Sequence, residues 1–191
     1  MNMSSETLRA LYGTWRIARG DANGLTFFDF SLNGFWRSFL AAIIVFPAFA
    51  FLRWHDLLDA PEDFPVGRYM TVEVVAYVIK WLAFPVLMYQ VMPILGRTER
   101  YIGFITVYNW SSVLQMAVYL VALLLGVLFP MLGPGGFVMV AVIAMLVYGV
   151  YIARLTLSVP IPTASAIVMA DFLLSMVITS IGIRLALGQL F

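Results

Sequence analysis

Residues 101–158 read YIGFITVYNWSSVLQMAVYLVALLLGVLFPMLGPGGFVMVAVIAMLVYGVYIARLTLS. Two apolar runs, 101–129 and 136–158, hold no acidic residue, and their only full charge is Arg154 near the end of the second. At about 1.5 Å of rise per residue, each is long enough as a helix to cross about 30 Å of hydrocarbon. Pro130 and Gly133-Pro134-Gly135-Gly136 lie between them. Proline and glycine at that density end one helix and turn the chain tightly, which makes the two runs antiparallel neighbours.

Working outward, Pro160 and Pro162 separate this hairpin from a further run at 163–186, and two earlier runs occupy 33–53 and 72–95. Pro47 and Pro85 fall inside the earlier runs, where each removes a backbone hydrogen bond and permits a kink. The chain is 63% hydrophobic and 11% charged, against roughly a quarter charged for a soluble domain. Its polar residues are too few to cover a water-soluble sphere, so the expected solvent is lipid. The expected fold is all-α: a five-transmembrane-helix bundle over 33–191, preceded by an interfacial, cytoplasmic amphipathic segment at 1–32.

Arginine placement gives the orientation. Arg9, Arg16, Arg19, Arg37, Arg97, Arg100 and Arg154 fall on one side of a five-span arrangement; Arg53, Arg68 and Arg184 fall on the other with Asp56, Asp59, Glu62 and Asp63. This bias expects the N-terminus in the cytoplasm and the C-terminus outside. The cysteine-free, loop-poor chain reads as a protein of the bacterial inner membrane. Lack of cysteine excludes disulfides, thiolate metal sites and thiol catalysis. No cofactor is expected, and no basic tract suggests nucleic acid.

Within 1–32, Leu8, Leu11, Tyr12 and Trp15 follow the spacing of one helix face, and Gly20 can end that helix. Such a helix can lie in the membrane interface or pack on the cytosolic ends of the spans. Phe27, Phe28 and Phe30 follow as aromatic anchors, with Asp29 or Ser31 able to cap the first span. These seven apolar side chains are the candidate docking surface for lipids or a membrane-protein partner.

Lys80 and Asp171 are the full charges deepest within the apolar runs. A charge near the bilayer centre costs between about 2.5 and 17 kcal/mol. Gln115 falls at the middle of the third span with Asn109 on its cytoplasmic side, and Ser175 shares a helix face with Asp171. The five residues Lys80, Asn109, Gln115, Asp171 and Ser175 form a candidate polar seam. It can serve as an ion path, or as structural pairing and amide–hydroxyl contact between helices. Alternatively, Lys80 snorkels outward to Glu73, two turns earlier. The levels of Lys80 and Asp171 differ by roughly 10 Å along the membrane normal.

Enzymatic constellations are nearly absent. His55 is the only histidine, in an acidic loop without metal-ligand spacing, and Ser111-Ser112 have no base near them in sequence. The expected function is therefore non-catalytic: an integral membrane protein binding a membrane-protein partner, lipids or further copies of itself, as organiser, adaptor or assembly factor. The alternative is a small transporter or channel built on Lys80, Gln115 and Asp171.

Five spans, a cytoplasmic N-terminus and a short amphipathic leading segment resemble the Yip1-domain family of membrane proteins. At residue level, Leu11-Tyr12-Gly13-Thr14-Trp15 is similar to part of that family's Asp-Leu-Tyr-Gly-Pro segment, with Ala10 in place of the Asp and Thr14 in place of the Pro. The resemblance implies a non-enzymatic bundle that organises membranes or escorts other membrane proteins. It brings no catalytic residues.

Overall fold

The computed structural model describes residues 3–58, 60–129, 133 and 135–188. Among them, helix is the only regular secondary structure. The helices are α1 (Met3–Ala18), α2 (Leu32–Ser38), α3 (Leu40–His55), α4 (Val66–Leu95), α5 (Tyr101–Leu128), α6 (Gly136–Leu157) and α7 (Ile161–Ala186), with 3-10 turns at Ala22–Phe27 and Thr98–Arg100. Five segments are long and apolar enough to cross a membrane: α2 with α3, α4, α5, α6 and α7. Pro130, Pro134 and Asp59, which carry part of the hairpin and acidic-loop expectations, lie outside the described residues.

Local chemistry sets the helix ends. Ser31 caps α2, its hydroxyl accepting from the Gly34 N–H at 3.1 Å. The Asp29 carboxylate accepts from the Ser31 N–H at 2.9 Å, so both expected cap residues act in series. Gly96 ends α4 in the left-handed conformation (φ +63°), and the Arg97 N–H bonds back to the Met92 carbonyl. α4 begins at Val66, six residues before the expected span, and runs through Pro85 and Pro93.

The first span differs from the single helix expected over 33–53: it breaks at Phe39. The Ser38 hydroxyl donates to the Phe35 carbonyl at 2.6 Å, and the Phe39 and Ala42 amides reach back only three residues. Side-chain competition and 3-10 spacing tighten the chain there, and α3 starts afresh at Leu40.

The chain forms two compact units. One comprises Met1–Val45 and Glu99–Val168; the other comprises Phe46–Thr98 and Met169–Phe191. In the first, α5 and α6 are antiparallel neighbours: Arg100, at the start of α5, donates to the Thr156 carbonyl (3.2 Å) and the Ser158 hydroxyl (2.6 Å) at the end of α6. The early part of α5 is the core of this unit. Phe104, Ile105, Thr106, Val107, Asn109, Trp110 and Ser111 are all buried, whereas beyond Ser111 only Ala122 is. The leading segment, α1 and α2 included, packs around that buried stretch.

In the second unit, the rings of Phe46 and Phe49 on α3 pack against Tyr77 on α4, the latter pair with centroids 4.5 Å apart. Gly182 on α7 lies against Val72 and Ala76 on α4, and Gly188 lies beside Arg68. α4 and α7 are therefore antiparallel in this unit.

Candidate functional site

The N-terminal segment is a folded platform. Its buried side is Glu6, Ala10, Gly13, Thr14 and Ile17. Small residues there let the chain approach closely: a methyl group on Gly24 would lie 2.7 Å from the Gly13 carbonyl oxygen, and one on Gly13 would lie 2.7 Å from the Phe28 ring. The 3-10 turn Ala22–Phe27 thus packs backbone to backbone on α1. Polar contacts fix the platform to the rest of its unit. Glu6 pairs with Arg37 on α2, the Tyr148 hydroxyl on α6 donates to the Thr14 carbonyl at 2.9 Å, and the Tyr151 hydroxyl donates to the Gly20 carbonyl at 3.1 Å. The Gly20 carbonyl lies just beyond α1, where intrahelical partners run out.

The face that apolar spacing picks out points away from this core. Leu8 is 68% exposed, Tyr12 48% and Trp15 45%, with Leu11 half-buried at the margin. Arginines brace the aromatics: the Arg19 guanidinium lies 4.6 Å from the Trp15 ring centroid, and that of Arg16 lies 5.3 Å from Phe27 and 5.9 Å from Tyr12. Tyr12 and Phe27 meet edge to face at 4.9 Å. Phe30 is exposed and its ring lies over Gly103. Phe28 turns inward and is buried, its ring parallel to that of Phe30. Of the seven docking candidates, then, Phe28 supports the surface rather than forming it.

Two carboxylates outside the spans hold the segment in shape. Arg16 pairs with Asp21 and keeps its carboxyl below the usual aspartate range, helped by the Asn23 N–H. The Ser31 N–H does the same for Asp29.

The seam residues fall into both units. In the first unit, the Asn109 amide donates to the Ser38 hydroxyl at 2.8 Å, joining α5 to α2 in a fully buried contact. Gln115 donates to Ser111 at 3.3 Å, one turn back on its own helix. Nothing in sequence spacing ties Asn109 to Ser38, 71 positions away. Lys80, Asp171 and Ser175 belong to the second unit. Lys80 is half-buried on α4, two turns after Glu73. Glu73 is 4% exposed on the same helix. The contact of Gly182 with Val72 and Ala76 sets the register of α4 and α7, and puts the backbones of Lys80 and Asp171 about 8 Å apart in level. Ser175 accepts at its carbonyl from the Thr179 hydroxyl, 2.8 Å away. Among the described residues, no group of three or more His, Asp or Glu side chains is placed to hold a metal ion.

One further feature joins the platform to the apolar helices. A cavity of about 180 Å³ opens between the end of α1, α5 and α6, lined by Ala18, Leu114, Gln115, Val118, Ala144, Met145 and Tyr148. Its lining is mainly apolar, and it lies on the α1 side that Ala18 shares with Leu11. No family model matches the chain, and neither a curated protein nor a solved structure does.

Proposed function

We propose that this chain is a non-catalytic integral membrane protein that acts by binding lipids or a membrane-protein partner, and that the N-terminal platform is its docking element. The observation that carries this reading is the division of α1. One side is locked to α5, α6 and α2, while the other leaves Leu8, Tyr12 and Trp15 exposed between arginines. A helix that needed only to pack would bury its large apolar residues. Here alanine, glycine and isoleucine pack, and the large residues stay available. Exposed aromatic and arginine side chains are also the residue types that carry most binding energy at interfaces.

Two further observations support a structural use of the seam. Asn109 and Gln115 each donate an amide N–H, to Ser38 and Ser111. Lys80 follows Glu73 by two turns on α4, and a helical side chain leans toward its helix N-terminus. The arginine distribution supports a platform on the cytoplasmic side of the membrane, with the C-terminus outside. Organising or escorting membrane proteins is also the role implied by the Yip1-domain resemblance at Leu11–Trp15.

The test compares the full chain with a Leu8→Ser, Trp15→Ser variant after affinity purification in mild detergent. Copurifying lipids and proteins are identified by mass spectrometry, and thermal stability is followed in parallel. Material bound to the wild type and lost from an equally stable variant supports the reading. The same material on both chains overturns it.

A further inference from the structure

We infer that the occupant of the platform is phospholipid: α1 lies within the cytoplasmic leaflet, its arginines take lipid phosphate, and an acyl chain fills the cavity beneath Ala18. This rests on the membrane reading above and narrows its choice between lipid and protein.

Depth is the first argument. α6 has 22 residues, about 33 Å of helix against about 30 Å of hydrocarbon. Nearly its whole length is needed to cross. Tyr148 and Tyr151, which hold Thr14 and Gly20, stand nine and six residues before Leu157, about 14 and 9 Å of rise short of the helix end. The end of α1 is therefore fastened below the level where α6 leaves the membrane, at a depth that acyl chains and headgroups occupy.

The second argument is the order of residues around α1. Past the buried side come Ala18, Leu11, Trp15 and Leu8; Arg19, Tyr12, Arg16 and Arg9 complete the circle. Ala18 borders Leu114, Val118, Ala144 and Met145. Ala144 and Met145 lie farther from the Leu157 end than Tyr148 and Tyr151, which clamp α1, and Leu114 and Val118 lie beyond the buried early residues of α5. The apolar arc from Ala18 to Leu8 thus faces the membrane interior, and the arc of Arg19, Arg16 and Arg9 faces the headgroups. A helix with three such sides suits a bundle, acyl chains and phosphates together. A water-soluble partner would meet only the arginine side.

The chain has no cysteine, so Leu8→Cys and Arg9→Cys each accept one nitroxide. The full-length variants are placed in vesicles of phosphatidylcholine and phosphatidylglycerol, three to one. The Leu8 nitroxide should be relaxed by oxygen and shielded from a water-soluble nickel chelate, and the Arg9 nitroxide should show the reverse. Spin-labelled phosphatidylglycerol should bind the wild type about fivefold more than spin-labelled phosphatidylcholine at low salt. Arg9→Gln with Arg19→Gln should remove that preference, and Ala144→Trp, which fills the cavity, should reduce the immobilised fraction of both lipids.

A Leu8 nitroxide open to the chelate, or a headgroup preference that survives the double arginine variant, overturns the inference. If, in addition, native membranes shield the Leu8 nitroxide from both reagents, a protein covers the face and the broader binding reading stands. If the chelate reaches it there too, both fall.

Discussion

A methyl group at Gly34 would lie 2.7 Å from the Asp29 carbonyl carbon and 2.8 Å from its Cβ. The first is backbone and cannot be displaced by a side-chain rotation. Gly34→Ala should therefore cost at least about 2–3 kcal/mol, seen as a lower midpoint in thermal or denaturant unfolding. Gly126→Ala, where the space is open, serves as the control and should gain or lose little. Asp21 gives a pH-dependent effect. Its carboxyl is held down chiefly by Arg16 and then by the Asn23 N–H. A lowered folded value means that its contribution is fully present above the unfolded value, about 3.9, and is lost as pH falls through the lower folded value. Acid unfolding followed by far-UV circular dichroism should lose this pH dependence in Asp21→Asn. Gly20 as a helix stop and Asp29–Ser31 as a cap are legible in sequence because each acts within three residues. The Asn109–Ser38 bond was not, because its partners meet only when α5 and α2 pack.

At the scale of the element, α1 is where sequence periodicity and packing part company. Leu8, Leu11, Tyr12 and Trp15 form the face a hydrophobic-moment reading selects, yet Ala10, Gly13, Thr14 and Ile17 are the residues that α5 and the 3-10 turn cover. The reason is steric. Backbone-to-backbone approach at Gly13 and Gly24 leaves no room for large side chains, while the outer side has room for them. The contrast is testable in one pair of variants. Ile17→Ala removes a fully buried side chain and should destabilise by about 2–5 kcal/mol. Leu8→Ala should change stability by less than about 0.5 kcal/mol. Equal effects in denaturant titration would mean that α1 does not pack as described. The same geometry argues against deleting residues 1–30 to probe docking, because that removes part of the α5 core together with the surface.

For the whole molecule, the five-span reading makes a topological prediction. With no native cysteine, a membrane-impermeant maleimide should label Glu62→Cys from the outer side of intact cells and Arg97→Cys only after permeabilisation. Labelling of both from one side would exclude the alternation that the arginines suggest. The sequence by itself determined the all-helical class, the five apolar helices and most of their ends. Those follow from run length, from glycine and proline punctuation, and from short-range capping, all of which act along the chain. Only the tertiary structure decided that the leading segment encloses the first turns of α5, that Asn109 answers Ser38, and that the strongest apolar face of α1 is left outward. These are choices among partners distant in sequence. Periodicity says that a helix has an apolar side, and close packing of glycine, alanine and a few hydrogen bonds decides which side the protein itself uses.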